Sequence, residues 1–370
     1  MTRTAVARAP GRVNLVGEHT DYNDGLCLPI ALPHDTVARV SLRTDDRISI
    51  SSAQQESVWT GDLGGCGPGH VGGWVAYVAG VLWALGQEGY DVPPGLDVHV
   101  AGNVPLGAGL SSSASLEVAV AVGVCAMMGR RLDGSQRRRL VQVCRRAETE
   151  VAGAPTGGLD QSAALLTEPG CALLLDFQDG STKAVPLGWS AAGLELVVID
   201  TRVSHALTAG DYGARRRECE DAALALGLPS LRDADEEAVG RLTDATLRRR
   251  AAHVVSENAR VVSVVAALER GSWTHVGELF TASHASLRDA FEVSCSELDL
   301  AVDTALASGA LGARMTGGGF GGSAIALVPA DRVDAVRRAV DAAFADSGLR
   351  APRHLDAPAS AAARVVEVSG

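Results

Sequence analysis

The stretch Met315-Thr316-Gly317-Gly318-Gly319-Phe320-Gly321-Gly322 meets the spacing G-x-G-x-x-G at Gly317, Gly319 and Gly322, the pattern that dinucleotide-binding folds place under a pyrophosphate. The next segment of chain rules that fold out. A dinucleotide site needs a helix after the last glycine, whereas Ser323-Ala324-Ile325-Ala326-Leu327-Val328 reads as a buried strand. The glycines therefore mark either a tight backbone loop beside a ligand or a packing turn. Basic composition narrows the field further: of 33 Lys plus Arg, only Lys183 is a lysine. No glycine-rich loop here can supply the lysine of a G-x-x-x-x-G-K-[ST] nucleotide loop, and Schiff-base chemistry would rest on that one residue.

With 370 residues the chain is long enough for two domains. Its net charge of −11 and 4% aromatic content leave no electrostatic footprint for nucleic acid or an anionic membrane. Three arginine runs, Arg137 to Arg139, Arg215 to Arg217 and Arg248 to Arg250, lie in helical patterns beside acids and are expected on solvated faces. The seven cysteines show no C-x-x-C and sit mostly in apolar surroundings, which suits reduced thiols in a cytoplasmic protein. Neither an apolar signal core nor an 18-residue uncharged apolar run is apparent, so no membrane span is expected.

Periodicity predicts strands at 37–42, 48–51 and 96–100, and a buried helix over 74–85. A glycine-rich loop, 102–109, leads into a helix reaching Met128 with a serine at its N-cap. A second helix is expected over 135–152, broken at Gly153-Ala154-Pro155, with an irregular link over 156–160. Strands at 171–176 and 196–200 flank a linker at 186–193, which places a domain boundary near residue 190. Helices then dominate to Ser308, and strands and helices mixed without regular βαβ alternation give α+β in both halves.

Three segments carry groups suited to a small polar ligand. Gly11 to Tyr22 crowds Arg12, Glu18, His19 and Asp21 together, which fits either the hydroxyls of a sugar or a polar surface loop with internal ion pairs. Pro105 to Ser115 combines glycines, three serines and a helix start, which can hold a phosphate without lysine or can simply cap a helix. The third is the glycine run itself. Asp160 follows an irregular Gly-Gly-Leu break that could aim a carboxylate inward, and Glu148 precedes it by one helix end. No H-E-x-x-H, H-x-x-x-H or G-x-S-x-G pattern supports a zinc site or a common serine hydrolase.

Taken together and in this order, these segments resemble the galactokinases, a branch of the GHMP kinases. Gly11 to Tyr22, GRVNLVGEHTDY, is similar to the signature of that branch. Pro105 to Ser115 and Arg314 to Gly322 are similar to the second and third motifs of the wider group, and Glu148 to Gln161 and Tyr212 to Glu220 match further, so the resemblance spans the chain. It implies an α+β, two-domain GHMP kinase fold with the active site between the domains. Residues 1–190 would form the N-terminal domain, of ribosomal protein S5 domain 2-like type, and 191–370 a ferredoxin-like C-terminal domain.

The activity implied is transfer of the γ-phosphoryl of MgATP to the anomeric hydroxyl of α-D-galactose, giving galactose 1-phosphate and ADP. A cytoplasmic monomer is expected, with Mg²⁺ as cofactor, galactose and ATP as substrates, and neither nucleic acid nor membrane as partner. By the same resemblance Asp160 is the catalytic carboxylate and Arg12 its charged partner. Glu18, His19, Thr20, Asp21, Tyr212 and the backbone at Gly157 would bind the sugar. Gly107, Ala108, Gly109, Leu110, Ser111, Ser112 and Ser113 would hold the ATP phosphates, and Ser113 with Glu148 would bind Mg²⁺. Phosphoryl transfer through a loose transition state leans on positioning and charge stabilisation more than on strong deprotonation, which suits a carboxylate held beside an arginine.

Two departures from the family pattern bear on the site. Thr156-Gly157-Gly158-Leu159 stands where Cys-Gly-Ile-Met is common, which frees the backbone before Asp160. Ser204, with Arg202 and His205 nearby, stands where a basic residue commonly precedes the Tyr212 segment. The alternatives to be separated are a related sugar kinase for N-acetylgalactosamine or L-arabinose, and a galactose and ATP sensor without turnover.

Overall fold

In the computed structural model, which describes residues 3–204 and 208–370 with side chains throughout except at 204 and 208–210, the small residues of the first strand set the spacing of the first layer. Ala5, Ala7 and Ala9 of β1 (Thr4–Asn14) alternate inward and are fully buried. Helix α2 (Ser112–Met127) lies directly on them and on the strand β3 (Pro29–Leu42). The approach is close enough that a Cβ at Gly123 would come within 2.9 Å of Val40. Between β1 and β3 come the short strand β2 (Leu26–Cys27) and the loop carrying the first motif. The sheet continues through β4 (Ile48–Ser52), β5 (Gln55–Gly61) and β6 (Leu96–Gly102). Helices α1 (Val75–Gln87) and α3 (Gly134–Arg146) complete the core above it.

The order of this six-stranded sheet is β13-β1-β3-β6-β4-β5, where β13 is Arg364–Ser369. The C-terminal strand therefore pairs antiparallel with β1 and belongs to the first sheet, a correction to the expectation that all of 191–370 forms the second unit. With that exception we propose the division near residue 190.

A three-stranded sheet joins β2 to β7 (Cys171–Asp176) and β8 (Thr182–Pro186), the two strands that follow the short helix α4 (Leu159–Leu166). The second half is built on an antiparallel sheet in the order β10-β11-β9-β12. Its strands are β9 (Leu194–Ser204), β10 (Gly312–Thr316), β11 (Gly321–Pro329) and β12 (Arg353–Asp356). Around it lie α5 (Thr208–Leu226), α6 (Glu236–Arg241), α7 (Ala245–Arg270), α8 (Trp273–Ala285), α9 (Ser296–Ala307) and α10 (Val333–Asp346). One hydrophobic cluster crosses the seam, joining Val13, Leu15 and Leu28 to Val261, Phe280 and Ile325. Helix α7 has the length and composition to cross a bilayer, but half of it is buried, and Arg250, His253 and Glu257 are among its buried residues.

Two expectations change in physical detail. The helix expected over 135–152 is α-helical only to Arg146 and ends in a π-turn, Ala147–Val151, which carries Glu148 inward. The arginine runs are not uniformly solvated. Arg138, Arg139, Arg217 and Arg248 are at least partly exposed, but Arg137 donates to the carbonyls of Leu165 and Ala363. Arg250 is 2% exposed and donates to Glu218 and Glu292 at 2.6 Å each and to the Ala290 carbonyl at 2.6 Å. A guanidinium carries five donors in a fixed fork, so it can gather carboxylates and carbonyls where segments converge. Arg250→Ala is accordingly expected to lower stability by about 2–3 kcal/mol in urea unfolding, while removal of the exposed Lys183–Glu269 pair changes it by less than about 1 kcal/mol.

Candidate active site

The site starts at a bulge. The pairing of β1 with β3 shifts register between Pro10 and Arg12, and a Cβ on the intervening Gly11 would stand 2.7 Å from the Leu110 carbonyl. Glycine lets β1 press against the serine loop, and the bulge turns Arg12 toward the start of α4. There Asp160 sits in the first turn of the helix, after Gly158 at φ 102°. Arg12 donates through Nε to Asp160 Oδ1 at 2.7 Å, with Nη2 2.6 Å from the same oxygen, and through Nη1 to the Gly109 carbonyl at 2.5 Å. The second carboxylate oxygen of Asp160 accepts from Ser111 Oγ at 2.5 Å. Ser111 does occupy the N-cap position of α2, but in a left-handed conformation (φ 57°) and with its hydroxyl on Asp160 rather than on the helix amides. Burial works against the charge on Arg12, and Asp160 and Glu18 outweigh it, so the guanidinium is held more firmly protonated than usual.

The first motif forms the facing wall. His19 adopts φ 62°, and its ring lies against Phe291 and Tyr212 with centroids 4.6 and 5.4 Å away. Nδ1 shares a hydrogen bond of 2.9 Å with the Tyr22 hydroxyl, and burial brings the imidazole pKa down to about 3, leaving the ring neutral. Glu18 accepts from the Gly317 amide at 2.8 Å and faces the fully buried Arg314 at 3.6 Å. Burial still pushes its carboxyl above the ordinary value, against Arg314 and Arg12. Asp21 is pushed up to about 6, first by burial and then by Asp160. A Cβ at Gly157 would lie 2.0 Å from Asp21 Oδ2, so glycine there is a packing requirement of Asp21.

A single cavity of about 180 Å³ is lined by Arg12, Glu18, His19, Asp21, Asp160 and Tyr212, together with Glu148, Thr156 and Gly317. Two expected sugar contacts are not on its wall. Thr20 is fully buried, its hydroxyl shared between the Gly17 and Leu26 carbonyls, so it holds the turn instead of facing the cavity. Gly157 lies behind Asp21 and opens on a neighbouring groove. Ser204's side chain and His205 lie outside the described residues.

Several residues that hold the site carry no motif. Helix α7 grips the first motif from the other half of the chain: Glu257 accepts from the Gly17 amide at 3.0 Å, His253 Nε2 donates to the Glu18 carbonyl at 3.1 Å, and Asn258 accepts from the Leu26 amide at 2.8 Å. Burial opposes the Glu257 charge, but Arg260 brings its carboxyl down to about 2. Helical periodicity marks α7 only as a helix. Nothing local in its sequence signals contacts about 240 residues away.

The serine loop is braced from beneath by the third motif. Carbonyls of Ala108, Gly109 and Leu110 accept from the Ser323 hydroxyl, the Arg12 side chain and the Arg12 amide respectively, and the side chains of Ala108 and Leu110 are buried. Cβ atoms at Gly317 and Gly322 would come within 3.0 Å of Gly109 O and 3.2 Å of Ala108 O. The glycine run is thus chiefly a packing turn under the loop, with Gly317 also at the cavity. With the Ala108, Gly109 and Leu110 carbonyls engaged from beneath, the groups this loop retains for a ligand include its backbone amides and the hydroxyls of Ser112 and Ser113.

Glu148 and Ser113 meet at the cavity edge. Burial and then Asp160 push Glu148 up to about 7, against hydrogen bonds from Ser113 and Gln161. A buried carboxylate poised near neutrality, next to a second carboxylate and a hydroxyl, forms a hard-oxygen donor set that a divalent cation would satisfy, so these residues fit Mg²⁺.

A mixed two-half fold with an arginine-clamped carboxylate and a glycine-braced serine loop defines a GHMP-type kinase. Family models match it in three places: the galactokinase galactose-binding signature over 2–42, the GHMP kinases N terminal domain over 76–168 and the GHMP kinases C terminal over 264–346. The chain belongs to the galactokinase family. It is 52% identical to the galactokinase of Streptomyces coelicolor over 96% of this chain and 92% of that one, and 46% identical to that of Mycobacterium tuberculosis over 90% and 92%. The crystal structure of Lactococcus lactis galactokinase complexed with galactose superposes with a TM-score of 0.92 at 34% identity, covering 98% of this chain and 95% of that one. A mevalonate kinase at 16% identity and TM-score 0.69, covering 97% of this chain and 98% of that one, shares the fold.

The crowding of acids has a measurable cost. Because the folded state raises the pKa of Asp21, it binds an extra proton between about pH 4 and 6, and stability is lost as pH rises through that window. Asp21→Asn is expected to raise the unfolding free energy by about 1–3 kcal/mol at pH 7.5 and by visibly less at pH 5, read by urea denaturation at both pH values.

Proposed function

We propose that the chain transfers the γ-phosphoryl of MgATP to the anomeric hydroxyl of α-D-galactose, releasing galactose 1-phosphate and ADP. The observation that carries this reading is the clamp on Asp160, one oxygen on Arg12 and the other on Ser111, in a cavity otherwise lined by sugar-type partners. Glu18, neutral His19, Asp21 and Tyr212 offer acceptors, a ring nitrogen and a hydroxyl to the sugar. The anomeric oxygen forms its bond to the γ-phosphorus as the bond from that phosphorus to the β,γ-bridging oxygen breaks, and Asp160 receives the hydroxyl proton. Arg12, fixed on the Gly109 carbonyl and Asp160, faces the developing phosphoryl charge.

Amides of the Gly107 to Ser113 loop, at the start of α2, would receive the phosphates. Mg²⁺, held by Ser113 and Glu148, would neutralise charge on the phosphate oxygens. Beside Ser112 a separate apolar pocket of about 120 Å³, walled by Trp74, Val104, Leu106 and Leu116, offers a place for the adenine base. Leu106 is 78% exposed there, an apolar side chain awaiting a flat partner. Seven free thiols, five of them buried, support a cytoplasmic setting, and a site assembled within one chain supports a working monomer.

Asp160→Ala is expected to lower kcat by roughly 10²- to 10⁴-fold while galactose still binds by calorimetry; near-normal turnover would refute its role. A coupled assay across galactose, glucose, N-acetylgalactosamine and L-arabinose is expected to favour galactose, and a clear preference for another sugar would overturn the substrate.

A further inference from the structure

Glu117 does not line the cavity, yet it is fully buried on α2, one turn after Ser113 on the same helix face. Among the described residues its carboxyl has one hydrogen bond, from Gln161 Nε2 to Oε2 at 3.2 Å, and the same nitrogen donates to Glu148 Oε2 at 2.5 Å. Glu117 Oε1 and Gln161 Oε1 are buried and have no hydrogen-bond partner among the described residues. A lone acid placed this way is a poor stability device, because burial and the nearby Glu148 raise its pKa well above the ordinary value and half of its polar atoms go unmet.

The arrangement does solve an orientation problem. The two ends of a glutamine amide have nearly the same shape, and only the nitrogen can donate to Glu148. With Glu117 accepting the second N–H, one nitrogen serves both carboxyls, and turning the amide over would break both bonds. Gln161 comes directly after Asp160 on α4, so the locked amide also ties the Glu148 side chain to the helix turn that carries Asp160.

We propose that Glu117 and Gln161 are positioning residues for Glu148: Glu117 fixes the Gln161 amide, and the amide aims the Glu148 carboxylate at the divalent cation beside Ser113. This rests on the reading of Glu148 as a metal ligand. Outer partners of metal ligands typically govern affinity by roughly 10- to 100-fold.

The test uses the full-length protein with ADP present, reading Mn²⁺ binding by electron paramagnetic resonance and the Mg²⁺ dependence of kcat. Glu117→Leu and Gln161→Leu are each expected to weaken metal binding roughly 10- to 100-fold, with galactose affinity unchanged and thermal stability equal to or above that of the parent. The double variant should bind metal no more weakly than Gln161→Leu alone, since Glu117 acts only through Gln161. Glu117→Gln, whose amide oxygen can still accept from Gln161, should recover most of the affinity lost in Glu117→Leu. If Glu148→Ala weakens metal binding but Glu117→Leu does not, the positioning role is overturned and the metal reading stands. If Glu148→Ala leaves metal binding unchanged, the ligand assignment fails and this proposal with it. Should Glu117→Leu not fold, parental metal affinity in Gln161→Leu is the overturning result.

Discussion

The contact between Arg12 and Asp160 is the one on which the rest of the site depends. It joins β1 to the start of α4 across 148 residues of chain, and each partner is anchored a second time, Arg12 on the Gly109 carbonyl and Asp160 on the Ser111 hydroxyl. The first motif, the serine loop and the segment of Asp160, distant in sequence, are thereby brought to one point. An ion pair with so little exposed surface is weak evidence for stability, because desolvation opposes its Coulomb gain. Its value is geometric: a carboxylate held on both oxygens cannot drift from the cavity, and a guanidinium held on two acceptors presents a fixed face.

Around this clamp the charge is unbalanced. Asp21, Glu18 and Glu148 all sit above ordinary carboxylate values, chiefly through burial, with Arg12 and Arg314 the nearby cations. Such a cluster of buried acids costs stability in the free protein, the general price of a site whose groups are held for chemistry rather than for folding. The single lysine has no part in this. Lys183 pairs with Glu269 on the surface, far from the serine loop, which packs on the glycine turn beneath it.

Much of this is legible in the sequence, for physical reasons. Residues that must act together locally, such as Arg12 to Tyr22 or Gly107 to Ser113, leave a dense and unusual run, and the strand after Gly322 is clear from its apolar continuity. The hidden part depends on the third dimension. Thr20 resembles a ligand because it lies between residues that line the cavity, but its hydroxyl is spent on backbone carbonyls. Ser111 reads as an ordinary cap, and only the left-handed turn reveals its partner. Arg250 in an Arg-Arg-Arg run is indistinguishable from solvated charge until Glu218 and Glu292 are seen to converge on it. The grip of α7 on the first motif, and the return of β13 to the first sheet, are long-range pairings that no local pattern encodes.

The most direct test of the clamp as one catalytic unit is the single-turnover rate of phosphoryl transfer in Arg12→Ala, Asp160→Ala and the double variant, with substrates saturating. If the pair works as a unit, each single variant loses roughly 10²- to 10⁴-fold and the double variant is scarcely slower than the worse of the two. A double variant whose loss equals the product of the single losses would mean that Arg12 and Asp160 act independently, and would contradict the clamp's role as a unit.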